Sequence, residues 1–183
     1  MNKYKSPDEV LPLEWNLYDK VCPALAPLFY EKLGMPPNAI TLLNNLIFIP
    51  LALHSFYNRR YGLFILFVAI RQMFDGLDGY VARKYKHYSD FGDKLDHGFD
   101  VLFNTLITLV SFMLLKDKRL FVIIIIVLGI AGFYVDKRGK CVQDRSEGCD
   151  EFLRNTRIFS FFESIIMYML GLSAILIYDN NKK

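Results

Sequence analysis

Three absences narrow the reading of this chain before any motif is considered. Strong charge of either sign is missing: 22 Lys and Arg against 19 Asp and Glu leave a formal net charge of +3. The basic residues fall in loops, so nucleic acid is not an expected partner. Cysteine is scarce, with 3 in 183 residues. Cys22 stands alone, and Cys141 and Cys149 lack the short spacing of zinc sites. The expectation is reduced loop thiols, with neither a disulfide framework nor a zinc centre. A signal-type apolar core is also missing from residues 1–12, which are polar.

What the chain has instead is hydrophobic length. Hydrophobic residues make up 53% of it, and they gather into runs long enough to cross a bilayer. That pattern predicts an all-α, polytopic transmembrane helix bundle in a single domain, 1–183. Five spans are expected: 40–57, a second starting at Tyr61, 91–115, 120–135 and 157–178. The bundle then occupies 36–178, and 1–35 form a cytoplasmic or interfacial arm. Within the arm, residues 16–33 mix Tyr18, Phe29 and Tyr30 with charges and two prolines. They are too polar to span, and read either as a segment lying on the membrane or as an irregular arm. Residues 136–156 are the longest polar stretch, a loop or an interfacial helix.

The chemistry concentrates in residues 75–100, DGLDGYVARKYKHYSDFGDKLDHGFD. Asp75, Asp78, Gly79, Ala82 and Arg83 follow at i, i+3, i+4, i+7 and i+8, one face of a helix. Gly92, Asp96 and Asp100 repeat every four residues, one face of a second helix. Two such helices joined by a polar turn can aim four carboxylates at one point. Carboxylates that close need cations to stay ionised, and Mg²⁺ or Mn²⁺ suit an all-oxygen site. Solvated helix-end charges are the simpler explanation, but apolar segments flank both halves, and intramembrane carboxylates are rare unless functional. A calcium loop would want acids at alternate positions before its glycine, and two residues separate Asp75 from Asp78.

These residues resemble the signature of the CDP-alcohol phosphatidyltransferase family at Asp75, Asp78, Gly79, Ala82, Arg83, Gly92, Asp96 and Asp100. From average residue frequencies, a chance match somewhere in a chain this long is on the order of 10⁻⁸. The resemblance implies transfer of a substituted phosphate from a CDP-linked donor to an alcohol, with release of CMP. It implies two Mg²⁺ or Mn²⁺ ions, with Asp75, Asp78, Asp96 and Asp100 as ligands and Asp100 also as general base. Arg83 would clasp the donor phosphates, Gly79 and Ala82 would admit the nucleotide to the backbone, and Gly92 would permit close helix contact. Breaking a pyrophosphate does require neutralising oxygens on both sides of the bridging bond, which a pair of divalent ions can do.

Several residues keep two readings. Asn38 is an expected N-cap for the first span. Asn38, Thr41, Asn44 and Asn45 serve either as capping and interhelical hydrogen-bonding groups or, by the resemblance, as a Pro-Asn-x-x-Thr opening that faces the nucleotide. Arg71 is either a counter-charge to the acids or a snorkelling residue. Glu163 pairs with Arg157 or Arg154, or reaches the site. His97, in Leu95-Asp96-His97-Gly98, resembles the Phe-Asp-His-Gly of choline and ethanolamine phosphotransferases, whose donor is a CDP-headgroup and whose acceptor is diacylglycerol. The short chain looks more like compact enzymes using CDP-diacylglycerol and a polar alcohol, and that donor is the preferred expectation.

Lys and Arg are denser in the segments that an inward N-terminus would place inside than in the outer ones, which hold Arg59, Arg60, Lys116, Lys118, Arg119, Lys182 and Lys183. The expected topology is therefore multi-pass, with the N-terminus and the site cytoplasmic. At 1.5 Å per residue, Asp75 lies roughly 21 Å along its span, within the inner part of the membrane. The expected partners are a CDP-linked lipid or headgroup donor, an alcohol acceptor, membrane lipid and a second copy of the chain. The family usually shows six spans, one more than expected here. The rival from another class is a non-catalytic membrane protein that binds metal and nucleotide-lipid. The complete set of acids with Arg83 argues against it.

Overall fold

The computed structural model describes residues 15–144, 147–156 and 161–181. Expectations placed on residues 1–12, on Arg157 and on the Glu163 side chain lie outside the described residues. The protein is an all-α membrane helix bundle, with no strand among the described residues. The chain forms two compact units, one over Asn16–Leu114 and one that includes Leu115–Lys183.

The first unit opens with a helical arm, wound as π-helix over Leu17–Val21 and Pro27–Lys32 and as a short α-helix, α1, over Cys22–Ala26. Pro23 and Pro27 carry no N–H to donate to the preceding turn, which accounts for the uneven winding. Gly34, at φ +63°, ends the arm in the left-handed conformation that glycine adopts without strain.

Three long helices follow: α2 (Pro37–Tyr57), α3 (Tyr61–Lys84) and α4 (Asp90–Leu114). Helix α2 starts two residues earlier than the N-cap expectation requires. Pro37 occupies the first turn, where its fixed φ and missing N–H cost nothing. Asn38 is therefore not the N-cap but a first-turn residue. Ser89 caps α4 instead, its hydroxyl accepting from the Gly92 amide at 3.0 Å. The core between these helices is apolar and aromatic: Phe56, Phe64, Val68, Leu77, Val81, Phe103 and Ile107 are all buried. Polar side chains along α4 return to their own helix. Asn104, Thr105, Thr108 and Ser111 each donate to the carbonyl four residues back, which meets the hydroxyl donors and one of the two Asn104 amide hydrogens within the helix.

In the second unit, α5 (Arg119–Asp144) runs well past the expected end of its span, and α6 (Glu147–Asn155) and α7 (Phe161–Asn181) follow. Buried Asp179 accepts from the backbone amides of Lys116 and Asp117, tying the end of α7 to the turn before α5. The expectation of reduced thiols holds for Cys22, which is free, and is corrected for Cys141 and Cys149, which form a disulfide. Three cysteines eight or more residues apart suggest no disulfide framework, but sequence separation alone does not decide pairing. The turn from α5 into α6 brings the Cα atoms to 4.9 Å, inside the range a disulfide needs.

Each of the five expected spans overlaps a helix of 21 to 26 residues, a length that matches a hydrocarbon core of about 30 Å. Among the described residues, α2 and α4 are also apolar enough to cross a membrane by composition.

Candidate active site

Asp75 and Asp78 on α3 face Asp96 and Asp100 on α4, as the two helical spacings require. Asp75, Asp96 and Asp100 form the tight group: each offers one carboxylate oxygen, and these oxygens lie within 4.8 Å of one another. Asp75 Oδ1 and Asp96 Oδ1 are buried and have no protein hydrogen-bond partner. Asp78 stands beside this group on a different support. It is buried and accepts from Thr41 Oγ1 at 2.5 Å. The site thus has three acids in one cluster and a fourth held by α2.

The cluster rests on a row of polar side chains. Gln72 Nε2 donates to Asp75 Oδ2 at 3.1 Å. Arg71 Nη2 donates to Asp100 Oδ1 at 2.7 Å, and Arg71 Nε donates to Asn45 Oδ1 at 2.9 Å. Asn45 Nδ2 donates to the Thr41 carbonyl at 2.8 Å, and Asn44 Nδ2 to the Arg71 carbonyl at 3.0 Å. Arg71 is therefore a counter-charge to the acids and does not snorkel. Asn44 and Asn45 are interhelical supports behind the acids. Gln72 went unnoticed in the sequence, although it lies three residues before Asp75 on the same helical face.

Beside the acids lies a cavity of about 120 Å³. Asn38, Thr41, Asp78, Gly79, Ala82, Arg83, Gly92 and Asp96 all line it, bringing together most of the residues singled out by spacing or resemblance. His97 is exposed and is not part of this lining. The two glycines let side chains cross over them. A Cβ at Gly79 would lie 3.3 Å from Arg83 Nη1, and a Cβ at Gly92 only 2.5 Å from Asn38 Oδ1. Pro37, His87, Tyr88, Ser89 and Asp93 complete the lining. Of these, Ser89 carried a legible signal, a serine immediately before a helical run.

The arm reaches the rim of the same cavity. Tyr30 stacks on Tyr85 with ring centroids 4.0 Å apart, and its hydroxyl lies 2.5 Å from Nε2 of the cavity residue His87. Tyr85 donates to Glu31 at 2.6 Å. That hydrogen bond is the main cause that pushes the Tyr85 phenol up to about 12. Deeper in the arm Cys22 is fully buried, and burial pushes its thiol up to about 12, against the pull of Arg83.

The model of the CDP-alcohol phosphatidyltransferase family matches residues 35–180, a stretch that contains both faces of this site. The chain belongs to the CDP-alcohol phosphatidyltransferase family. It is a membrane transferase, with a CDP-alcohol donor and an alcohol acceptor as the family's substrates. Comparison with curated proteins and with solved structures found no match. The family depends on divalent metal, and the donor set fits that dependence. Three converging carboxylates supply only hard oxygen ligands, and two of their buried oxygens have no partner in the protein.

Proposed function

We propose that the protein transfers the phosphatidyl group of CDP-diacylglycerol to a polar alcohol and releases CMP. The convergence of Asp75, Asp96 and Asp100 beside a cavity bordered by Arg83 carries this reading. Two Mg²⁺ or Mn²⁺ ions held by Asp75, Asp78, Asp96 and Asp100 would neutralise the phosphate oxygens around the scissile bond. Arg83 binds the donor phosphates with its guanidinium fork. Gly79 gives the Arg83 guanidinium room to lie against α3, Ala82 keeps the neighbouring wall low for the nucleotide, and Asn38 and Thr41 border the cavity from α2. Asp100 accepts the proton of the acceptor hydroxyl. The acceptor oxygen then forms a bond to the phosphorus that carries the lipid, the bond from that phosphorus to CMP breaks, and CMP leaves with the electron pair.

The protein works as a single membrane domain that crosses the bilayer several times, with the N-terminus and the site on the cytoplasmic side. The excess of Lys and Arg in the inner segments supports that orientation. Purified protein given Mg²⁺, CDP-diacylglycerol and a panel of polar alcohols is expected to release CMP, and excess EDTA to stop the release until Mg²⁺ or Mn²⁺ is restored. CMP release from CDP-choline or CDP-ethanolamine with diacylglycerol, and none from CDP-diacylglycerol, would reverse the donor assignment. Full activity in EDTA would reject the metal site.

A further inference from the structure

Arg71 is the largest fully buried side chain described, only 1% exposed, one helical turn before Asp75. A guanidinium taken out of water is costly unless a charge and hydrogen bonds compensate it. Arg71 has both, from two other helices. Its Nη2 donates to Asp100 Oδ1 at 2.7 Å on α4, and its Nε donates to Asn45 Oδ1 at 2.9 Å on α2. Its guanidinium also lies over the Phe103 ring, 4.9 Å from the centroid. The cation is thus fixed from several directions before any ligand enters.

We propose that Arg71 is a positioning residue for Asp100. The inference rests on the transferase reading above and extends it to a residue outside the family signature. Asp100 is a short acid with two rotatable bonds, 17% exposed, close to Asp75 and Asp96. Without a cation bound to the protein itself, mutual repulsion would turn it away from the other two. Arg71 holds one of its oxygens in place and offsets one negative charge of the cluster permanently. Thr41, Asn45 and Arg71 link Asp78 to Asp100 through a continuous run of hydrogen bonds. The two ends of the site therefore share one support.

The test uses full-length protein in detergent with Arg71→Met, Arg71→Lys, Asp100→Asn and the double variant Arg71→Met/Asp100→Asn. Thermal unfolding in EDTA reads the pairing without reference to activity. Each single change leaves a buried polar partner uncompensated, so the double variant is expected to lose less than the sum of the two single losses in Tm. In CMP release with Mg²⁺, Arg71→Met is expected to lower kcat by about 10²-fold, the size of loss that follows a small misplacement of a reacting group. The donor KM should stay within a few-fold. Arg71→Lys should recover part of the loss, because it keeps the charge but not the fork. Should Arg71→Met fail to fold, the same cycle and kinetics on Arg71→Lys decide the matter. Tm losses that simply add, or unchanged kcat, would overturn the role of Arg71. A wild-type protein that releases no CMP from any donor would instead reject the transferase reading itself.

Discussion

Thr41 Oγ1 donates to Asp78 Oδ2 at 2.5 Å across the α2–α3 interface, with both side chains buried. The Pro37 carbonyl lies 3.2 Å from the same hydroxyl. One hydroxyl has one hydrogen, and the short charge-assisted bond to the carboxylate is the stronger claim on it. Thr41→Val keeps the shape and removes the donor. A buried carboxylate left without its partner is expected to cost about 1–3 kcal/mol of stability. Donor affinity should fall with it, because Asp78 and Thr41 line the same cavity. Thr41→Ser should retain both. Unfolding curves in detergent, together with binding of a labelled CDP donor, check the pair.

Gly92 is required by a neighbour. A Cβ there would sit 2.5 Å from Asn38 Oδ1 and 3.1 Å from Ser89 Oγ. Gly92→Ala is expected to swing the Asn38 side chain out of place and weaken donor binding severalfold, with the helices still folded. Gly62, where a Cβ meets nothing within 4 Å, is the control. Gly62→Ala, in the first turn of α3, should leave binding unchanged. Equal donor affinity in the two variants would remove Asn38 from the cavity wall.

The sequence revealed the long helices and the two signature faces because helical spacing is local, and residues 75–83 and 92–100 carry it within two or three turns. It did not reveal what depends on three helices meeting. Arg71 could be read only as a charge near other charges until Asn45 and Asp100 were seen on either side of it. Asp78 has the same spacing credentials as Asp75, yet Thr41 holds it beside the other three acids. No pattern in residues 75–100 distinguishes the two. Cys141 and Cys149 failed for a different reason. Their approach depends on the direction in which the chain turns between α5 and α6, which composition does not encode.

Cys22 provides a test of the arm. Its thiol rises from 9.0 to about 12, chiefly through burial. Because the raised value favours the neutral form in the folded state, its stabilising contribution is complete below pH 9.0. That contribution is lost as pH climbs from 9.0 toward about 12. Near neutral pH, maleimide should leave Cys22 unlabelled in folded protein and label it after denaturation, since the thiolate is the reactive form. Rapid labelling of Cys22 in folded protein would mean that the arm does not pack over it.

Orientation can be read by single cysteines introduced at Lys86, Lys140 and Arg60. The charge bias predicts that positions 86 and 140 react from the cytoplasmic side of sealed vesicles and position 60 from the opposite side. Labelling of all three from one side would sink the five-span topology.

Asp78 and Asp100 sit at opposite ends of the proposed reaction, and their neutral isosteres should fail differently. Asp78 borders the cavity with Gly79 and Arg83 and is held by Thr41, so its charge acts on the donor side. Asp100 lies with Asp75 and Asp96, is paired with Arg71, and does not line the cavity. Loss of a general base typically lowers a rate by about 10²–10⁴, whereas loss of a donor-side metal ligand weakens metal and donor together. Asp100→Asn is therefore expected to keep binding of a labelled CDP donor within a few-fold and to lose nearly all CMP release. Asp78→Asn should lose both. Thermal unfolding of each variant must accompany the assay, because Asp100→Asn also strips Arg71 of its counter-charge, and a variant that melts at the assay temperature says nothing about the base. With folding secured, an Asp100→Asn protein that turns over near the wild-type rate would mean that the acceptor proton leaves by another route.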